Sequence, residues 1–207
     1  MNQITESSLT EQTNSSTNQS NLYLITGLGN RGREFQHNRH NVGFMLVSHL
    51  AERLGVSFSR MQSKALVTKG EYHGKRLILA KPQTYMNLSG QAVAPLVRFY
   101  KVPLENLLVA YDDVDLPFGL LRLRPSGGSG GQKGMQSIIS TLGTEEFPRL
   151  RVGIDRPPGR MEASDYVLQD FSKDQVEALA EILDRGVEAV LTFIDEGLDA
   201  AMNKYNG

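Results

Sequence analysis

The sequence predicts an α/β layered domain, and three observations carry that expectation. Short apolar runs alternate along the chain with amphipathic helical stretches, as strands and helices do when they share one sheet. Several of those runs are continuously apolar, the pattern of strands covered on both faces. The chain also has 207 residues, 40% of them apolar and 22% charged, enough for one sizeable globular domain.

Taken in order, Leu22-Tyr23-Leu24-Ile25-Thr26 opens a first strand over 22–28, and helical spacing follows over about 42–54. Apolar runs at 65–68 and 76–80 predict two further strands, with His73 and Gly74 between them as a hairpin-like turn. A helix over about 89–101 follows, then strands at 107–111 and 120–123, a helix over 134–142, and a strand at 150–154. The last helix, 172–197, is the clearest. Val176, Leu179, Ala180, Leu183, Val187, Val190, Leu191 and Ile194 repeat at helical spacing; Ser172 and Gln175 make a capping-box start, and Gly197 is a natural stop. Its other face carries Glu177, Glu181, Asp184 and Glu188, and it reads as structure without chemistry.

Residues 1–21 are rich in Ser, Thr, Asn and Gln and contain no Lys or Arg, which predicts a disordered tail ahead of a domain over 22–207. The tail has neither the basic and apolar regions of a secretory signal nor the arginines of a transit peptide, so a cytoplasmic location is expected. No run approaches 18 consecutive apolar residues, so no membrane span is expected. The absence of cysteine excludes disulfides, thiolate catalysis and cysteine-based metal sites. A net charge of −1 hides an asymmetry: residues 22–160 hold 19 basic against 10 acidic side chains, whereas 161–207 hold 3 against 11. A basic body with an acidic last helix points to a face for a polyanion.

The chemistry concentrates in loops that follow strands. His40 stands between a strand and a helix among polar, helix-breaking residues, where α/β sheets build their sites. It is the best-placed general base for neutral pH in a chain with four histidines. His37 shares the loop, but no third histidine or acidic cluster stands at ligand spacing, so no metal is expected. Asp112, Asp113 and Asp115 end an apolar strand; one of them could accept the Nδ1 proton of His40, and the others fit a turn. Asn87 and Ser89 lead into a helix, where either could cap it, or Asn87 could orient water or donate to an oxyanion. The loop 125–134, glycine-rich and flanked by Arg122, Arg124, Arg149 and Arg151, fits a phosphate site at a helix start. Gly27-x-Gly29-x-x-Gly32 matches a dinucleotide fingerprint only formally. Some ten polar residues separate Gly32 from the next helix, and no acidic residue stands where a ribose ligand should be.

Together, Gly27–Asn30, Arg39-His40-Asn41-x-Gly43, Met86–Gly90, Asp112–Pro117 and the glycine-rich loop resemble bacterial-type peptidyl-tRNA hydrolase, in order and at compatible spacing from about 22 to 200. The resemblance implies a single α/β domain with a twisted mixed sheet surrounded by helices, monomeric, without metal or cofactor. It implies hydrolysis of the ester between a peptide and the 3′ end of a tRNA. By the same resemblance His40 is the general base and Asp112 its orienting carboxylate. Asn30 and Asn87 hold substrate and water, and Phe35, Tyr85 and Met86 line the peptide side. Lys133 stands at a substrate-contacting position, and Arg124 and Arg151 grip a tRNA phosphate. The chain departs from the family pattern at Arg31, where proline is usual, at Ser129, where histidine is common, and at Lys133, where many members carry asparagine. The alternative reading is a non-catalytic RNA-binding relative, like the plant organellar splicing factor built on this fold. A nucleotide-dependent oxidoreductase would rest on the glycine pattern alone.

Overall fold

Seven strands make one sheet in the computed structural model, which describes residues 21–207; apart from Asn21, the tail expected over 1–21 lies outside the described residues. The strands are β1 (Leu22–Gly27), β2 (Arg60–Gln62), β3 (Ala65–Tyr72), β4 (Lys75–Pro82), β5 (Leu107–Asp113), β6 (Leu121–Arg124) and β7 (Arg149–Gly153), in the spatial order β2-β3-β4-β1-β5-β7-β6. The central four, β4, β1, β5 and β7, run parallel, while β2, β3 and β6 pair antiparallel at the two edges. The sheet is therefore mixed, as the resemblance implies.

Helices α1 (Val42–Arg53), α2 (Gly90–Tyr100), α3 (Lys133–Leu142), α4 (Ala163–Tyr166), α5 (Lys173–Glu196) and α6 (Leu198–Tyr205) cover the two faces. Along β1, Tyr23 and Ile25 pack with Leu46, Leu50, Val190 and Phe193 of α1 and α5. Leu22 and Leu24 pack with Val93 and Leu96 of α2 and Ile138 of α3 on the opposite face. Burial on both faces is why the run reads as continuously apolar.

The capping box of Ser172 and Gln175 opens α5, and Gly197, with a φ of 94°, ends it. The outer face of α5 is less idle than its sequence reads: Asp184 pairs with His49 and Glu188 with Arg53, both on α1. Three elements have no counterpart among the predicted ones. Strand β2 is short, polar and mostly exposed at the sheet edge, so no apolar run marks it. The four-residue α4 is too short for a period, and α6 follows Gly197 directly. The α6 end matters to the sheet: Asn206 accepts from Leu123 N–H and donates to its carbonyl, standing in for a strand along the free edge of β6.

One close approach sets the site. A Cβ on Gly27 would lie 2.0 Å from the carbonyl oxygen of Gly43, and one on Gly43 would lie 2.4 Å from that of Ala110. Only glycines let the first turn of α1 rest on the backbones of β1 and β5. His40, just ahead of α1, is thereby brought over the end of β5. The formal fingerprint glycine Gly27 thus serves helix–strand packing.

Candidate active site

The candidate site sits where the loops after β1, β4 and β5 meet the glycine-rich loop, at the carboxyl ends of the parallel strands. His40 lies in a single helical turn, Arg39–Asn41, whose neighbours bolt it down. The His40 N–H donates to the Val167 carbonyl at 2.8 Å and the Arg39 N–H to that of Gln169 at 3.0 Å. The buried Arg39 guanidinium donates to the Gln169 and Asp170 carbonyls and to Gln175 Oε1. It lies 4.3 Å from the Tyr166 ring centroid and 5.5 Å from that of Phe171. The Asn38 amide donates to the Leu168 carbonyl. His40 therefore stands on a rigid post.

His40 Nδ1 lies 2.7 Å from Asp112 Oδ2, and Asp112 is only 4% exposed. An ionised carboxylate only accepts, so the ring proton is assigned to Nδ1 and Nε2 keeps its lone pair. The second carboxylate oxygen, Oδ1, accepts from the Gln132 side-chain amide at 3.1 Å, while Gln132 Oε1 caps α3 by accepting from Met135 N–H at 2.8 Å. Gln132 so ties the start of α3 to the carboxylate. The neighbouring acids do other work. Asp113 accepts from Asp115 N–H in a turn and pairs with Arg151, and Asp115 pairs with Arg156.

A cleft of about 500 Å³ opens above this pair. It brings together Asn30, His40, Tyr85, Met86, Asn87, Asp112 and Lys133, all sites named from sequence, with Asp113, Ser129 and Gln132 beside them. Asn41 shapes its wall: Asn41 Oδ1 accepts from Asn30 N–H at 2.7 Å, and Asn41 Nδ2 donates to the Asn30 carbonyl at 3.0 Å. Asn87 is exposed into the cleft, and Ser89 donates to the Met86 carbonyl; neither side chain caps α2. Phe35 is elsewhere. It is half-buried in the turn Arg33–Phe35 and is not part of the cleft lining.

Four arginines share one face of β6 and β7, since Arg122 stands opposite Arg151 and Arg124 opposite Arg149. Their fates differ. Arg124 is exposed, and Arg151 is half-buried against Asp113, itself at the cleft wall. Arg149 is 2% exposed and donates to the carbonyls of Gly127, Gly128, Glu145 and Phe147, folding the glycine-rich loop over the strand. Burial lowers its pKa. Tyr111, between these arginines and the core, has its phenol pushed up to about 12, chiefly by burial. Sequence reading missed Gln132, Asn41, Arg39 and Arg149 as site supports. The signal within reach was position: a polar residue directly ahead of a helix for Gln132, and two polar neighbours of the histidine for Arg39 and Asn41.

Comparison with known proteins agrees with this geometry. The family model for peptidyl-tRNA hydrolase matches residues 24–207. A peptidyl-tRNA hydrolase of Chloroflexus aggregans is 53% identical over 186 residues, covering 89% of this chain and 99% of that protein. The chloroplastic peptidyl-tRNA hydrolase of Arabidopsis thaliana is 49% identical over 185 residues, covering 89% of this chain and 64% of that protein. The crystal structure of peptidyl-tRNA hydrolase from Acinetobacter baumannii superposes with a TM-score of 0.85 at 34% identity, over 91% of this chain and 96% of that one. The chain belongs to the peptidyl-tRNA hydrolase family.

Proposed function

We propose that this chain is a hydrolase of the ester joining a peptide to the 3′ end of a tRNA, with His40 as general base. The observation that carries the reading is the desolvated Asp112–His40 pair beneath a cleft walled by amides and a cation. Asp112 accepts the Nδ1 proton and holds the ring, leaving Nε2 to take a proton from water. The water oxygen attacks the ester carbonyl and forms the new C–O bond. The side chains of Asn30, Asn87 and Lys133 are the donors available to the tetrahedral oxyanion. Collapse breaks the bond to the ribose oxygen, which leaves with the proton held on His40. Water alone balances the step, and the reading calls on no metal or cofactor.

Tyr85 and Met86 offer apolar surface to the acyl side, and Arg124 and Arg151 offer cations to the tRNA backbone. Phe35 has weaker support than these, since it stands apart from the cleft. In this reading the chain works as a monomer in the cytoplasm, beside the ribosomes that generate its substrate. Among the described residues no helix is long and apolar enough to cross a membrane. A non-catalytic RNA-binding role is the weaker reading, because binding alone needs no imidazole–carboxylate pair at a cleft floor.

The test is release of free tRNA from N-acetyl-aminoacyl-tRNA by the purified chain in excess EDTA. Multiple turnover is the expected result. A protein that binds tRNA but releases none would overturn the hydrolase reading in favour of the RNA-binding one.

A further inference from the structure

A second cavity, of about 660 Å³, lies beside the cleft and shares Asn30 with it. Phe44, Met45 and Ser48 of α1, Leu66 of β3, Lys81 of β4 and Phe171 line it. The catalytic reading uses none of these.

Lys81 is the unusual member. Its ammonium donates to Ser48 Oγ at 3.0 Å and lies 4.1 Å from the Phe58 ring centroid. Among the described residues no carboxylate pairs with it. Desolvation lowers its pKa. A half-buried cation with one neutral acceptor has unmet attraction for an anion. Other charge on the groove is mixed, with Arg31, His37 and Glu52 also on its lining.

The sheet order says which part of the substrate reaches it. His40 follows β1 and Asp112 sits on β5, at the centre; Arg151 and Arg124 lie on β7 and β6 to one side, and Lys81 and Leu66 on β4 and β3 to the other. With the tRNA placed over the arginines, β4 and β3 lie on the opposite side of His40, and the groove has its Lys81 and Leu66 there. The two cavities adjoin: Asn30 lines both, and the Arg31 guanidinium of the groove lies 5.9 Å from the Tyr85 ring of the cleft.

We infer that this groove takes the peptide residues upstream of the esterified one, and that Lys81 favours an acidic side chain among them. The inference rests on the hydrolase reading above. Phe44, Met45, Leu66 and Phe171 supply apolar contact that tolerates many side chains, while the ammonium adds a charge preference.

The experiment compares kcat/KM for three substrates: N-acetyl-Gly-tRNA, N-acetyl-Glu-Glu-Gly-tRNA and N-acetyl-Lys-Lys-Gly-tRNA. For the wild type the Glu substrate should exceed the Lys substrate by about three- to tenfold, the range of a partly buried ion pair. Lys81→Met, which keeps the apolar stem against Phe58, should bring that ratio near one, and Lys81→Glu should invert it. A wild-type ratio of one, or a ratio unchanged in Lys81→Met, would overturn the groove while turnover of N-acetyl-Gly-tRNA left the hydrolase intact. Wild type inactive on all three would overturn the hydrolase reading and this inference with it.

Discussion

Asp112 and Arg149 are both buried charges on neighbouring strands, and the chain uses them in opposite ways. Asp112 has His40 on one oxygen and Gln132 on the other, and both partners line an open cleft. Arg149 spends its donors on backbone carbonyls, those of Gly127 and Gly128 in the glycine-rich loop and those of Glu145 and Phe147 just ahead of its own strand. A buried charge costs stability unless it is hydrogen-bonded. Where every bond ends on backbone, the result is a shaped loop; where one partner still faces a cavity, the result is a poised reactive group.

The sharpest way to break this comparison is His40→Ala. Turnover should fall on the order of 10²–10⁴-fold, while tRNA affinity measured by filter binding stays within about threefold, since the phosphate contacts dominate binding. Near wild-type turnover would make the pair structural, like Arg149. Next comes Arg149→Met, which removes the guanidinium that ties those carbonyls together. Its urea midpoint should drop by the equivalent of about 2–4 kcal/mol, and an unchanged midpoint would mean the loop holds its own shape. Gln132→Leu should lower kcat by about three- to tenfold with little change in KM, because it loosens Asp112 without touching tRNA. A KM effect alone would move Gln132 from positioning to substrate contact. The smallest effect is expected at the exposed Arg124. Arg124→Glu should weaken tRNA binding and reduce the salt slope by about one to two units, with kcat at saturation retained; an unchanged slope would place the RNA elsewhere.

The same contrast explains how much the sequence disclosed. His40 was legible because it sits in a polar loop after a strand, and the carboxylates at the end of β5 marked its partner, though only the resemblance chose Asp112 among Asp112, Asp113 and Asp115. The central strands were legible because burial on both faces leaves continuous apolar runs such as Leu22–Ile25. The alternation Arg149-Leu150-Arg151 by itself does not tell the two arginines apart, since both side chains share one face, and only the resemblance singled out Arg151. What separates them is the glycine-rich loop, which closes over one and leaves the other to Asp113. Gln132 escaped because its two bonds join a helix start to a carboxylate 20 residues away, which no local pattern records. Phe35 was assigned by resemblance alone, and its turn holds it outside the cleft.

The central claim is that Asp112 acts through His40, and a double-mutant cycle on the hydrolysis of N-acetyl-aminoacyl-tRNA tests it most directly. Asp112→Asn alone should cost turnover by misorienting the ring and its proton, by less than His40→Ala. In the double variant the loss should equal that of His40→Ala by itself, because a positioning carboxylate has nothing left to position. Losses that multiply would contradict the account, giving Asp112 a part in the reaction that does not pass through His40.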